Sequence, residues 1–173
     1  MTLRADHCET ARGVTVDPYY VQEPNDWVQI VAFDREDRIL LISQYRHGAQ
    51  VISTELPGGN IEPGETPAEA AQRELGEETG CAAETLLPLP TLSPNPACLS
   101  NKLHAFVALN TRQVQRQSLD KTEEIEFGFF TVADVLALID EGAFLQSLHI
   151  SSLFLALRMR RILVISRVPV VEP

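Results

Sequence analysis

Positive charge is scarce in this chain of 173 residues: Lys and Arg number 14 against 24 Asp and Glu, a formal net charge of -10. Such a balance repels nucleic-acid backbones and anionic lipid surfaces, so any phosphate chemistry here needs cations as intermediaries. Cysteine is scarce too. Cys8, Cys81 and Cys98 form neither an even set nor a Cys-x-x-Cys pair, which argues against a disulfide framework and against a thiolate zinc site. The longest apolar runs, Leu153–Leu157 and Ile162–Ile165, fall far short of the roughly 18 to 20 residues of a membrane span. No basic segment followed by an apolar one stands at the start, so the cytoplasm is the expected compartment, with no nucleic-acid or membrane partner.

What is present suits a folded protein with one core. Hydrophobic residues make up 45% of the chain, enough for a single domain over residues 1–173, and no stretch is repetitive or low in complexity. Val14–Val21, Trp27–Phe33 and Arg38–Tyr45 are rich in β-branched and aromatic residues. The last two, separated by the charged tetrad Asp34-Arg35-Glu36-Asp37, read as the strands of a hairpin. Val51–Leu56 is a further strand, stopped by Pro57-Gly58-Gly59.

Thr66, Pro67, Glu69 and Gly80 then mark a helix over Pro67–Thr79 as N-cap, first-turn proline, capping-box partner and terminator. Beyond a loop marked by Pro88, Pro90, Pro94 and Pro96 come strands over Lys102–Leu109 and Ile125–Phe130. A second capping box, Thr131 with Asp134, opens a helix over Val132–Glu141, and a last helix runs from about Ser147 to Leu163 with Leu148, Ser152 and Leu155 on one stripe. Trp27, Tyr19, Tyr20 and Phe33 read mainly as core aromatics. The order of strands and helices predicts an α+β fold, a mixed sheet sandwiched between helices.

The first helix carries the chemistry. Glu74, Glu77 and Glu78 stand three and four residues apart, so their carboxylates share one face and repel one another. Divalent cations reverse that sign, because carboxylate oxygens are preferred ligands of Mg²⁺ and Mn²⁺. Arg73, four residues before Glu77, is placed to hold it from behind. Ala68, Ala70 and Ala71 leave the helix slim enough to lie close on a sheet. Glu123, Glu124 and Glu126 form a second acidic group just before or within the strand ending at Phe130, and Arg46, at a strand end, is suited to clasping a phosphate.

These residues resemble a known family. Gly59, Glu65 and the run Arg73-Glu74-Leu75-Gly76-Glu77-Glu78-Thr79-Gly80-Cys81 are similar to the Nudix box of the Nudix hydrolases, with Cys81 where an aliphatic residue is usual. At average residue frequencies the eight agreements arise by chance with a probability of about 10⁻⁹ per start position. The resemblance implies an α/β/α sandwich and a hydrolase of nucleoside diphosphates linked to another moiety. It assigns Glu74 and Glu78 as principal ligands of Mg²⁺ or Mn²⁺, Glu77 as a further ligand, the Gly58 carbonyl as another oxygen, and Glu77 and Glu78 as catalytic groups too. Glu65 and Arg73 would brace the junction of loop and helix.

Further marks resemble the ADP-ribose and nucleoside diphosphate sugar branch: Glu55 four residues before the box glycine, Pro96 fifteen residues after Cys81, and Arg46 on its strand end, all three on the substrate side. Glu123 or Glu124 would be the general base. The branch also implies a homodimer in which N-terminal strands, about residues 1–30, complete the partner's site. The expected reaction releases a nucleoside monophosphate and a sugar phosphate. Two other readings stay open: the same chemistry on a dinucleoside polyphosphate or nucleoside triphosphate, and a Nudix module that senses a nucleotide without cleaving it.

Overall fold

The computed structural model describes residues 1–165; positions 166–173 of the expected domain lie outside the described residues. The chain begins with β1 (Thr2–Glu9), β2 (Thr15–Glu23), β3 (Trp27–Ala32), β4 (Ile39–Arg46) and β5 (Val51–Glu55), followed by α1 (Pro67–Thr79). It continues with β6 (Cys81–Ala82), β7 (Thr85–Pro88), β8 (Leu103–Leu109), β9 (Arg112–Gln113) and β10 (Ile125–Phe130), and ends in α2 (Val132–Asp140) and α3 (Ser147–Ile165).

β3 is apolar on both faces, and a strand of that kind must be covered on both sides. Val28, Ile30 and Ala32 pack with Ala70, Ala71 and Leu75 of α1, whereas Val31 and Phe33 pack with Val135 of α2 and with Leu153 and Ala156 of α3. The result is the expected sandwich, helix on one side and two helices on the other. One sheet is mixed: β3 runs parallel to β8 from Trp27 opposite Leu103 to Ala32 opposite Ala108, and β7 joins β8 antiparallel. A second, antiparallel sheet has the order β10-β4-β5.

The expected hairpin is not formed. β3 and β4 follow one another through a tight turn, in which Asp34 Oδ1 accepts the Glu36 and Arg38 N–H groups, but they meet only at a Phe33–Ile39 bridge and then enter different sheets. Residue alternation identifies a strand without identifying its partner. Here pairings six residues long, β3 with β8 and β4 with β10, outcompete the short-range one.

α1 begins and ends where the sequence places it. Thr66 and Glu69 form the capping box, and Gly80 closes the helix in the left-handed region, its N–H bonded to the Gly76 carbonyl. Ala70, Ala71 and Leu75 are buried against the sheet, while Ala68, expected with them, faces solvent. Of the expected α3 stripe, Ser152 is fully buried and Leu155 packs half-buried against the core, while His149, Leu153 and Ala156 are buried beside them among the described side chains. β1 and β2 pair with each other as an arm that meets the body where Gln22 bonds to Cys98 and Ser100. Tyr19 and Tyr20, expected in the core, lie on this arm; Tyr20 is exposed and the Tyr19 hydroxyl donates to the Ala97 carbonyl.

Candidate active site

The turn after β5 is stitched to β3 from both sides: Ile30 N–H donates to the Pro57 carbonyl and Val28 N–H to that of Gly59. Between them Gly58 passes so close to β3 that a Cβ there would lie 2.2 Å from the Val28 carbonyl oxygen. Its carbonyl has no partner among the described residues, and its N–H donates to Glu78 Oε2 at 2.8 Å. A Cβ on Gly59 would sit 2.3 Å from Glu74 Oε1, so the missing side chain is the cradle of that carboxylate.

Arg73 organises the other side of the turn. Its Nε and Nη2 donate to Glu65 at 2.8 and 3.0 Å, Nη2 also reaches the Asn60 carbonyl, and Nη1 donates to Glu74 at 2.9 Å and Glu77 at 3.0 Å. The C-terminal carbonyls of α1, which no helix can satisfy for itself, accept from the loop after β9: Ser118 N–H to Glu77, Gln117 Nε2 to Glu78, and Val114 and Gln115 N–H to Gly80. These bonds carry Glu123 over the same face of α1.

Electrostatics follow from that crowding. Burial, then the nearby charges of Glu74 and Glu123, push the Glu78 carboxyl up to about 8 against the opposing Gly58 N–H bond. Burial raises Glu74 as well, with Arg73 opposing and Glu77 and Glu123 adding to the rise. Glu55 goes the other way. Burial would raise it, but the two-bond grip of the Arg46 guanidinium outweighs that and holds it near 2. Arg46 grips Glu55 with two bonds, Nε to Oε1 at 2.7 Å and Nη2 to Oε2, so the fork expected to clasp a phosphate is engaged by a carboxylate, leaving Nη1 without a protein partner among the described residues.

These walls enclose an open cavity of about 760 Å³. Of the residues singled out in the sequence, Arg46, Glu55, Gly58, Glu74, Glu77, Glu78 and Glu123 line it; Glu124 and Pro96 do not. Pro96 is exposed, in the loop that receives the arm. Asp120, Gln29, Ser53 and His149 also line the cavity and escape the sequence reading. Gln29 and Ser53 had a signal, a lone amide and a lone hydroxyl among apolar strand neighbours. His149 had none, since nothing in α3 refers to β5.

No three acidic, His or Cys side chains among the described residues converge into a ready-made metal cage. The donor chemistry nonetheless fits a divalent cation. Glu78 is buried and Glu74 half-buried, and burial raises both above the ordinary carboxylate value, a cost of ionisation that a cation beside them would offset. The Gly58 N–H fixes where Glu78 stands, and Arg73 with the Gly59 cradle fixes Glu74.

Comparison with known proteins places this geometry. The NUDIX domain profile matches residues 24–148. The chain is 31% identical to the ADP-ribose pyrophosphatase of Bacillus subtilis over 139 residues, 80% of this chain and 75% of that protein. It is 30% identical to the methanol dehydrogenase activator of Bacillus methanolicus over 140 residues, again 80% and 75% of the two chains. It is also similar to the crystal structure of an ADP compounds hydrolase, with a TM-score of 0.81 and 28% identity, covering 92% of this chain and 85% of that one.

Proposed function

The chain belongs to the Nudix family of hydrolases, and on that premise we propose that it cleaves the pyrophosphate bond of ADP-ribose or a related nucleoside diphosphate sugar, releasing a nucleoside monophosphate and a sugar phosphate. The observation that carries this reading is the pairing of Glu74 and Glu78 at the Gly58–Gly59 turn, in a cavity whose other wall presents the Arg46 cation.

Glu74 and Glu78, with Glu77 and the Gly58 carbonyl, are the residues that would hold Mg²⁺ or Mn²⁺. Bound there, a divalent ion neutralises phosphate charge and makes water a better nucleophile. The chain's own groups do the rest. Gly58 N–H holds one Glu78 oxygen in place, and Arg73 holds Glu74 and Glu77 from behind. Arg46, oriented by Glu55, turns Nη1 to the phosphate oxygens. Glu123, on its loop facing α1, takes the proton of the attacking water; its position in the cavity favours it over Glu124.

The exposed apolar arm supports a homodimer. The free thiols of Cys8, Cys81 and Cys98 support a cytoplasmic setting. Among the described residues no helix is long and apolar enough to cross a membrane.

Incubation with ADP-ribose and Mg²⁺ is expected to yield AMP and ribose 5-phosphate. Glu78→Gln should lower kcat by a hundredfold or more, on the order of what losing one preorganised charge-stabilising group costs. Turnover by the wild type that survives chelation, or that Glu78→Gln leaves intact, would refute the assignment.

A further inference from the structure

The cavity has a second wall that the cleavage chemistry does not use. Gln29 of β3, Ser53 of β5 and His149 of α3 line it, exposed by only 4%, 1% and 3%. Two of their polar atoms, Ser53 Oγ and His149 Nε2, are buried with no hydrogen-bond partner among the described residues. Buried polar groups are almost always paired, so two orphans on one cavity wall ask for a ligand.

Their chemistry can be read from the bonds their neighbours make. His149 Nδ1 accepts the Leu56 N–H at 3.2 Å, which puts the proton of the neutral ring on Nε2 and makes that atom a donor. The nearest acceptor, Glu55 Oε2, is 3.5 Å away and already accepts from Arg46 and Gln44. Gln29 Oε1 accepts from Ser152 Oγ at 2.8 Å, so its amide nitrogen is what remains for the cavity. Ser53 both donates and accepts. The wall thus offers two neutral donors and one hydroxyl of either sense, from three elements far apart in sequence.

We infer that Gln29, Ser53 and His149 form a seat for the vicinal hydroxyls of the sugar attached to the second phosphate, and so select sugar diphosphates over plain nucleoside diphosphates. The set has no charge with which to hold a phosphate and no ring on which to stack a base. A sugar hydroxyl, which donates and accepts at once, satisfies both orphans. Glu55 ties the seat to the phosphate side, since it touches His149 and grips Arg46. The inference rests on the proposed hydrolysis, because it assumes that a pyrophosphate lies between α1 and Arg46.

The test compares ADP-ribose with the methyl ester of ADP, which keeps adenosine and pyrophosphate but has no distal sugar, in the wild type, Ser53→Ala and His149→Asn. Ser53→Ala removes an atom that bonds to nothing, and Asn at 149 keeps an acceptor for the Leu56 N–H while deleting the Nε2 donor. The ratio of kcat/KM for ADP-ribose to that for the methyl ester is expected to fall about tenfold in each variant, mainly through KM, with no loss of Tm in Ser53→Ala. An unchanged ratio in both variants overturns the seat while the hydrolase assignment stands. If the wild type cleaves neither ester, the hydrolase assignment fails, and calorimetry with ribose 5-phosphate against inorganic phosphate decides the seat. Tighter binding of the ribose ester, lost in both variants, supports it; equal affinity for the two overturns it.

Discussion

Glu78 and Glu55 are both buried glutamates of one cavity, yet they respond to pH in opposite senses. Glu55 is held near 2, so its contribution to folding is complete above the ordinary carboxylate value of 4.5 and is lost as the pH falls toward 2. Glu78 is raised to about 8: the folded chain binds that proton more tightly than the unfolded chain does, so its contribution is present below 4.5 and fades as the pH rises through 8. The Tm measured in chelator should therefore decline from pH 5 to pH 8.5, and Glu78→Gln should flatten the decline. Mg²⁺ should restore stability on the alkaline side, where the ionised carboxylate is the better ligand. A wild-type profile that matches that of Glu78→Gln would remove Glu78 as its source.

At the scale of elements, two glycines flanking α1 do different work. Gly80 has φ +67°, and a Cβ there would lie 2.2 Å from the Gln115 backbone oxygen, so Gly80→Ala must strain the cap or push the loop away. About 1–3 kcal/mol of stability should be lost, read as a lower urea midpoint at unchanged m-value. Gly59→Ala instead meets the far end of the Glu74 side chain, which can swing aside. Its stability should shift by less than about 1 kcal/mol. Its kcat should nevertheless fall by roughly 10- to 100-fold, the range seen when a metal ligand loses its support. Equal stability losses in the two variants would contradict this division of labour. α1 was legible residue by residue because caps and carboxylate spacing are local; the β3 and β4 pairings were not, because a strand's partner is chosen by the whole sheet.

For the molecule as a whole, the unsatisfied surface is the arm. Leu3, Val14 and Tyr20 are 61%, 58% and 57% exposed on a two-stranded ribbon, and a hairpin of that kind is marginal in water unless something covers it. Burial by a second copy should make the full chain a dimer in sedimentation velocity, and Tyr20→Asp should halve the mass without changing the helical circular dichroism signal. A wild-type chain that sediments as a monomer at micromolar concentration would rule out that role.

What the sequence by itself determined is the acidic helix: its caps, the one-faced glutamates, the bracing arginine and the glycine turn all lie within residues 58 to 81, close enough for local geometry to dictate them. Tertiary structure alone decided that Glu123 rather than Glu124 faces that helix, that Arg46 is gripped by Glu55, and that Gln29, Ser53 and His149 share a wall. Those residues come from different strands, a loop and the last helix. Their proximity is a product of how two sheets and two helix layers close on one another, information that no single stretch of chain contains.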